Sequence, residues 1–423
     1  MVMFFSLFLI LFFGVMLSLL AKKIRIPSLV FYLLFGILLS YLDGLISPFG
    51  FSFLDGNLMN VSSDIRKIAL IIILLKAGLS LDLNDLRKVG RPAILMSFLP
   101  ACVEMTAIGI FAPYFFKISY TESFLLGSVL GAVSPAVVIP MMSKLLEERY
   151  GTREGIPQLI IAASSIDDIV MIVFYQCFLT LEQGGEVGVM TFLNIPISIL
   201  TGIAVGILFG ILLILVFYKA KLSNPMKLVL LLAVGFGLTY FESFVSSYFG
   251  YSSLLSIITM ALLIHKKDRE ISLTLKNGCN KLWSVAEIFL FTLVGASIKI
   301  EYAGMYFLPA LLLLLISLTF RSLTVSGCLI KTKLNLKERG YVILSFLPKA
   351  TVQAAIGGGL LDLGNKLLQQ GAGNAESVIA SGTIVLSVSV VSILLTAPIS
   401  AILLNLLYPR MLKKENEKSE AIE

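Results

Sequence analysis

The chain consists almost entirely of apolar runs separated by short polar breaks. A run of about twenty residues spans the hydrocarbon core of a bilayer as an α-helix, whose backbone satisfies its own hydrogen bonds in lipid. The runs are continuous rather than alternating, which excludes an outer-membrane barrel. With 57% hydrophobic residues and a mean hydropathy of +0.95, the sequence predicts an all-α polytopic membrane protein.

The polar breaks divide the chain into about thirteen predicted membrane spans and leave no room for a soluble domain. The longest predicted loop lies at 266–281, and a charged tail is predicted at 409–423. The spans are predicted near 2–20, 27–46, 66–81, 92–116, 121–145, 156–181, 192–218, 226–247, 251–265, 282–298, 303–331, 339–362 and 376–408.

Basic residues are distributed unevenly over the loops. Loops after odd-numbered spans, together with the tail, hold 25 of the 33 Lys and Arg residues. Because basic loops stay in the cytoplasm, we expect the N-terminus outside and the C-terminus in the cytoplasm. The protein is expected in the cell membrane, that is, the inner or plasma membrane. The formal net charge of +7 therefore reflects topology, and we expect membrane lipids but no nucleic acid as partners.

The sequence contains no motif for cofactor chemistry. The four cysteines lack paired spacing, which predicts neither a disulfide framework nor a metal cluster. No nucleotide-binding loop is present, and the three glycines at 357–359 lie within a predicted span, where close helix packing accounts for them. We therefore expect no cofactor and no enzymatic activity.

Asp167 and Asp168 lie in the middle of the predicted span 156–181, which is otherwise almost uncharged. A carboxylate at this depth costs roughly 2.5 kcal/mol or more on insertion scales. The two acids therefore indicate either an ion or proton site, or a structural pair neutralised by a buried base. Ser164 lies four residues before Asp168 on the same helical face, so its hydroxyl and the carboxylate can bind one cation.

Three further charged residues are predicted at membrane depth: Glu104, Arg321 and Lys349. Opposite charges attract strongly where water is excluded, so these residues are expected to form ion pairs. We predict that Lys349 pairs with Asp167. Glu104 and Arg321 are predicted to form a structural or gating salt bridge.

The second half of the chain weakly repeats the first at an offset near 215 residues. The Gly-x-Ser pattern of LKAGLSLDL at 75–83 recurs in TLVGASIKI at 292–300, and Glu104 corresponds to Arg321. The matched segments lie seven spans apart. Since seven is odd, the two halves are predicted to cross the membrane in opposite directions.

The halves are thus predicted to be inverted repeats at 1–181 and 226–408, linked by the span 192–218. Each half carries a span interrupted by proline, at Pro135 and Pro348. Proline removes a backbone donor and prevents a regular helix, and paired interruptions in inverted repeats indicate the central site of a secondary transporter. We therefore expect two broken helices that cross at mid-membrane.

The first break exposes the backbone of Val133 and the side chain of Ser134 to the same region as the acids. Hard monovalent cations prefer oxygen ligands. A Na⁺ or Li⁺ site is therefore predicted from Asp168, Ser164, the Val133 carbonyl and water molecules.

The segments LLKAGLSLD, VSPAVVIP, SSIDDIV and LPKATVQAAIG together resemble the sodium/proton antiporters with the NhaA fold. The resemblance is closest to the NHA-type branch of the cation/proton antiporter superfamily and extends from the second span to the thirteenth. It implies exchange of Na⁺ or Li⁺ for H⁺ in pH homeostasis, a homodimer and an elevator mechanism. The moving core would comprise 92–181 and 303–408, and the remaining helices would form a dimerisation domain.

The resemblance also implies roles for individual residues. Asp168 would carry the cation and the proton, and Asp167 would pair with Lys349. Ser164 and the break at 133–134 would line the cation site.

A glutamate–arginine pair is expected in this branch where Glu104 and Arg321 stand. The chain departs from many relatives in having Asp167 where they have asparagine. Several relatives have Thr-Asp-Pro where this chain has Val-Ser-Pro at 133–135. A double aspartate with a lysine is usually associated with electrogenic exchange, and the added pair leaves the stoichiometry open.

Other transport functions fit the same sequence features. K⁺/H⁺ exchange or K⁺ efflux is an alternative, because nothing in the sequence determines the radius of the bound ion. A Na⁺-coupled symporter of an organic anion and a passive channel are further alternatives. Ion-dependent proton flux distinguishes these functions.

Overall fold

A computed structural model describes residues 2–24, 26–46, 52–80, 90–183, 189–220, 222–245, 250–298 and 300–415. Residues 81 and 82, the last two of the segment LLKAGLSLD, and the predicted tail after 415 lie outside these ranges. The helices are α1 Val2–Ile24, α2 Ser28–Ile46, α3 Gly56–Asn60, α4 Ser62–Gly78, α5 Arg91–Met96, α6 Leu99–Phe116, α7 Tyr120–Leu130, α8 Pro135–Glu148 and α9 Ile156–Gln183. The second half contains α10 Val189–Lys219, α11 Asn224–Val245, α12 Ser253–Lys267, α13 Arg269–Ala296, α14 Ile300–Cys328, α15 Leu336–Ser345, α16 Thr351–Ile356, α17 Gly359–Gln369 and α18 Ala375–Met411.

The all-helical membrane architecture expected from the sequence is confirmed. Within the described ranges, ten spans are long and apolar enough to cross a membrane. Three of the thirteen predicted spans are not among them. The span at 66–81 corresponds to α4, with 17 residues, and the span at 251–265 to α12, with 15. The span at 339–362 is divided between α15, α16 and the start of α17.

The predicted loop at 266–281 is wrong, because most of this segment belongs to α13. Asp268 caps the helix, with its side chain accepting a hydrogen bond from the Ile271 N–H group at 2.9 Å. Leu275 and Cys279 lie four residues apart on the buried face. The charged residues of this segment therefore belong to the polar side of an amphipathic helix.

Glycines allow two pairs of helices to approach closely. Gly36 of α2 faces the Thr292 carbonyl of α13, and Gly295 of α13 faces the Leu33 carbonyl of α2. Gly78 at the end of α4 similarly lies against Ile258 of α12, where an added Cβ would meet the carbonyl oxygen at 2.7 Å. Small residues at such contacts let backbones come together in a membrane, where lipid provides no hydrophobic driving force.

Residues 413–415 contact the connection between α8 and α9. The Gly151 N–H group donates to the Lys413 carbonyl at 2.8 Å, and the Glu415 N–H group donates to the Arg149 carbonyl at 2.9 Å. Helix α18 itself continues to Met411. Residues 409–411 of the predicted tail therefore belong to α18, and residues 413–415 bond to the α8–α9 connection.

Candidate functional site

Two helix breaks meet inside the protein. Residues 131–134 separate α7 from α8, and 346–350 separate α15 from α16. Pro135 is the first residue of α8, a position that requires no N–H donor. Pro348 lies inside the second break, and its carbonyl accepts a hydrogen bond from the Ser134 N–H group at 2.8 Å. The two breaks are therefore joined directly through their backbones.

Arg321 of α14 connects the first break to two acids. Its Nη1 donates to Glu104 Oε2 at 2.6 Å and also to the Gly131 carbonyl, while its Nη2 donates to Asp167 Oδ2 at 2.8 Å. Glu104, Asp167 and Arg321 are all fully buried. The expected Glu104–Arg321 pair is thus present, and Arg321 also pairs with Asp167 of α9.

Lys349, in the second break, binds Glu104 rather than Asp167. Its Nζ lies 2.7 Å from Glu104 Oε2 and 3.4 Å from the Ala132 carbonyl oxygen. The expected Lys349–Asp167 ion pair is therefore wrong for this conformation. Arg321 instead pairs with Asp167, and Glu104 Oε2 accepts from both Arg321 and Lys349.

Asp167 also binds the first helix break. Its Oδ2 accepts a hydrogen bond from the Val133 N–H group at 2.9 Å. Its Oδ1 is buried and has no hydrogen-bond partner within the described part of the chain. Asp167 therefore links helix α9 to the break and leaves one oxygen available.

Asp168 differs from the other two acids because no basic side chain in the described part of the chain forms an ion pair with it. Asp168 is 7% exposed, and its Oδ1 is buried without a hydrogen-bond partner among the described residues. It lies within electrostatic reach of Asp167, Arg321 and Lys349, without forming a salt bridge to either base in the described ranges.

The buried charges do not balance when all groups are ionised. Three acids, Glu104, Asp167 and Asp168, face two bases, Arg321 and Lys349. The excess of one negative charge sits where water is scarce, and an unpaired charge in such a place is strongly unfavourable. One monovalent cation or one proton neutralises it.

Oxygen atoms near the first break could complete a cation site. Ser134 Oγ is buried and has no partner among the described residues, and no hydrogen bond within the described chain ends on the Val133 carbonyl. Ser164 is buried, and its Oγ donates to the Ile161 carbonyl of its own helix at 3.2 Å. The hydrogen-bond network joins Val133 to the charged cluster but does not include Asp168 or Ser164.

Residues that hold a resident metal ion usually form a cluster of His, Cys, Asp or Glu side chains. Within the described chain no such group of three or more side chains occurs.

Sequence reasoning missed two buried polar residues of the site. Gln353 of α16 donates to the Val129 and Ala132 carbonyls at 3.1 and 2.9 Å. Thr396 of α18 accepts a hydrogen bond from the Lys349 N–H group at 2.8 Å. The available signal was a glutamine four residues after the lysine of an apolar predicted span.

The chain matches the family model described as sodium/hydrogen exchanger, transmembrane, over residues 7–406. It is 34% identical over 372 residues to sodium/hydrogen exchanger 9B2 of Xenopus tropicalis, covering 85% of this chain and 65% of that protein. It is 31% identical to sodium/hydrogen exchanger 9B1 of Homo sapiens, covering 85% of this chain and 68% of that protein. The match to the frog relative thus spans just under two thirds of that protein's length.

A solved structure shares the fold. The structure of the sodium proton antiporter MjNhaP1 from Methanocaldococcus jannaschii at pH 8 has a TM-score of 0.80 and 22% sequence identity. The similarity covers 97% of this chain and 99% of that chain. This similarity confirms the antiporter-like fold that the sequence motifs predicted.

Proposed function

The chain belongs to the sodium/hydrogen exchanger family, and from this premise we propose that it exchanges Na⁺ or Li⁺ for H⁺. It is an integral membrane protein, as its family and its apolar helices require. The observation that carries the proposal is the single uncompensated carboxylate in the buried cluster, Asp168. The relatives are themselves named sodium/hydrogen exchangers, which supports the choice of ions.

Competition at Asp168 couples the two ions. The excess negative charge is neutralised by a cation or by a proton, but both together would create an excess positive charge. Protonation of Asp168 therefore releases the cation, and arrival of the cation releases the proton. If the site opens to one side at a time, the result is exchange.

We propose that the cation ligands are Asp168, Ser164, the Val133 carbonyl and Ser134, with water molecules completing the shell. The free Val133 carbonyl and the unpartnered Ser134 hydroxyl support this set. Asp167, Glu104, Arg321 and Lys349 hold the site in place through their ion pairs. These four side chains neutralise each other and leave Asp168 to carry the exchanged charge.

Alternating access is proposed to follow an elevator motion, in which a core of 92–181 and 303–408 moves against the remaining helices. The inverted repeats predicted at 1–181 and 226–408 support the mechanism. The glycine contacts agree with the predicted repeat. Gly78 of α4 packs against α12, and Gly295, the matching glycine of α13, packs against α2. The remaining helices would form the dimerisation domain of a homodimer, with the C-terminus in the cytoplasm.

Reconstituted vesicles test the proposal. An imposed Na⁺ or Li⁺ gradient should drive protons through the purified protein in the direction opposite to the cation. Asp168→Asn should abolish this proton flux while leaving the protein folded. Proton flux that persists in Asp168→Asn would refute Asp168 as the carrier. K⁺ in place of Na⁺ tests K⁺/H⁺ exchange, and uptake of an organic anion without proton flux would indicate a symporter.

A further inference from the structure

Gln353 is a neutral side chain in the centre of the charged site. It is the third residue of α16 and is fully buried. A buried glutamine amide has two N–H donors and an acceptor oxygen, and leaving them unpaired is costly. Its three hydrogen bonds therefore indicate what this side chain does.

The three hydrogen bonds that the Gln353 side chain makes within the described chain end on backbone atoms at or beside the two helix breaks. Its Oε1 accepts from the Ala350 N–H group at 2.7 Å, which caps the start of α16 in the second break. Its Nε2 donates to the Ala132 carbonyl at 2.9 Å and to the Val129 carbonyl at 3.1 Å, at the first break. One side chain thus joins both breaks, beside the backbone bond from Ser134 to Pro348.

These bonds determine which backbone oxygens remain available to a cation. The Gly131 carbonyl accepts from Arg321, and the Ala132 carbonyl accepts from Gln353 and more weakly from Lys349. The next carbonyl along the break, that of Val133, receives no hydrogen bond within the described chain. Donors therefore occupy the carbonyls of the two preceding residues, and the Val133 carbonyl oxygen stays free.

We propose that Gln353 is a positioning residue for the cation site. Its amide holds the two breaks in register and keeps the Val133 carbonyl in place as the free backbone ligand. This inference rests on the proposed exchange of Na⁺ for H⁺ and adds to it a residue that touches neither ion. Gln353 acts through the Ala132 carbonyl and the Ala350 N–H group.

Gln353→Met tests the proposal because it keeps the length of the side chain and removes the amide. In reconstituted vesicles the KM for Na⁺ should rise about five-fold or more while kcat changes less, as expected when one hydrogen-bonded ligand is misplaced. Ser128→Ala is the matched control, since within the described part of the chain this buried hydroxyl bonds only the Leu125 carbonyl of its own helix. A lower kcat with an unchanged KM would mean a merely structural role and would overturn the proposal.

Gln353→Glu provides a second test, which decides the question if Gln353→Met does not fold. A protonated glutamate keeps the acceptor for Ala350 and one donor for the carbonyls, whereas an ionised glutamate has no donor. At low pH, exchange by this variant should approach that of the wild-type protein. As the pH is raised, exchange by the variant should decline at a lower pH than exchange by the wild type does. A pH profile identical to the wild-type profile would contradict the proposal.

Hydrogen–deuterium exchange separates this proposal from the proposed function. Gln353→Met should increase deuterium uptake in peptides that cover 129–135 and 346–352, and Ser128→Ala should not. Unchanged uptake in both segments would overturn the positioning role, whether or not the protein transports ions. If wild-type vesicles show no Na⁺-dependent proton flux, the proposed function fails, and this measurement still tests Gln353.

Discussion

Arg321 is the side chain that holds the buried cluster together. Its guanidinium group binds Glu104, Asp167 and the Gly131 carbonyl. A planar guanidinium offers several donors in fixed directions, so it can serve three acceptors from different helices at once. Lysine at this position could not satisfy the same three groups with the same geometry.

Replacing Arg321 with glutamine should strongly destabilise the protein. Asp167 would then be a buried carboxylate without its ion-pair partner, at a cost of about 3–5 kcal/mol. Thermal unfolding of the purified protein in detergent measures the effect. Arg410→Gln is the control, because Arg410 is exposed near the end of α18. An equal shift in both variants would argue against the proposed role of the buried network.

Replacing Lys349 with alanine should change charge movement and stability more than cation binding. Lys349 neutralises Glu104 and bonds none of the proposed oxygen ligands within the described chain, so its loss alters the charge of the cluster rather than the ligand shell. Currents on solid-supported membranes report the charge moved per cycle, and Na⁺-dependent thermal stabilisation reports binding. Unchanged current and unchanged stability would contradict this assignment.

At the scale of single elements, the start of α13 shows how a polar segment becomes a helix. The Asp268 carboxylate accepts hydrogen bonds from the Ile271 N–H group at 2.9 Å and from the Tyr218 hydroxyl at 2.7 Å. These two bonds, the backbone bond above all, lower the pKa of Asp268 below its ordinary value of 3.8. Asp268 lies outside the membrane-spanning segments, where pH acts on it directly.

The contribution of Asp268 should depend on pH. Because its pKa is lowered in the folded state, the stabilisation is present above pH 3.8 and is lost as the pH falls through the folded-state pKa. Asp268→Ala should cost about 1 kcal/mol at neutral pH, as other helix N-caps do. Thermal unfolding from pH 7 to pH 3 should show the wild-type and variant curves converging.

The control for this experiment is Asp268→Asn, which keeps a side-chain oxygen as acceptor and removes the charge. At neutral pH its loss of stability should be smaller than that of Asp268→Ala, and its own stability should lack the change with pH that the ionisation of Asp268 gives the wild type. A difference between wild type and Asp268→Ala that stays constant down to pH 3 would show that the charged form is not what stabilises α13.

At the scale of the whole molecule, an ion pair joins the proposed moving core to the proposed dimerisation domain. Arg66 of α4 contacts Asp362 of α17 at 2.7 Å, and its Nη1 lies 3.2 Å from Ser297 Oγ next to α13. Helices α4 and α13 belong to the proposed dimerisation domain, and α17 belongs to the proposed core. An elevator motion must therefore break the Arg66–Asp362 contact.

A reversible crosslink between Arg66→Cys and Asp362→Cys should stop exchange. The variant is made in a background in which the native cysteines, Cys102, Cys177, Cys279 and Cys328, are replaced by serine or alanine. A short thiol-reactive crosslinker should block Na⁺-dependent proton flux, and a reductant should restore it. The physical reason is that the crosslink prevents the core from moving against the other domain.

The control crosslink joins Asp64→Cys and Lys67→Cys, whose native side chains form an exposed ion pair at 3.4 Å within α4. Both residues belong to the same helix, so this crosslink should leave exchange unchanged. Full transport by the crosslinked 66–362 protein would argue against relative motion of the two units at this contact.

The sequence by itself determined the class of the protein and the residue types of its site. Apolar runs predict spanning helices because lipid forces each backbone to satisfy its own hydrogen bonds. Charges inside such runs indicate function because they are costly there. Prolines at 135 and 348 predict breaks because proline lacks an N–H donor. All three arguments depend on local chemistry, which the order of residues records directly.

The tertiary structure alone decided which partners meet. The sequence identified Lys349 and the acids, but their pairing depends on the rotation and depth of helices that are far apart in the chain. For the same reason Gln353 became visible as part of the site only through its contacts to the other break. Local periodicity carries no information about which face of one helix lies opposite another, and close packing of the whole fold sets those distances.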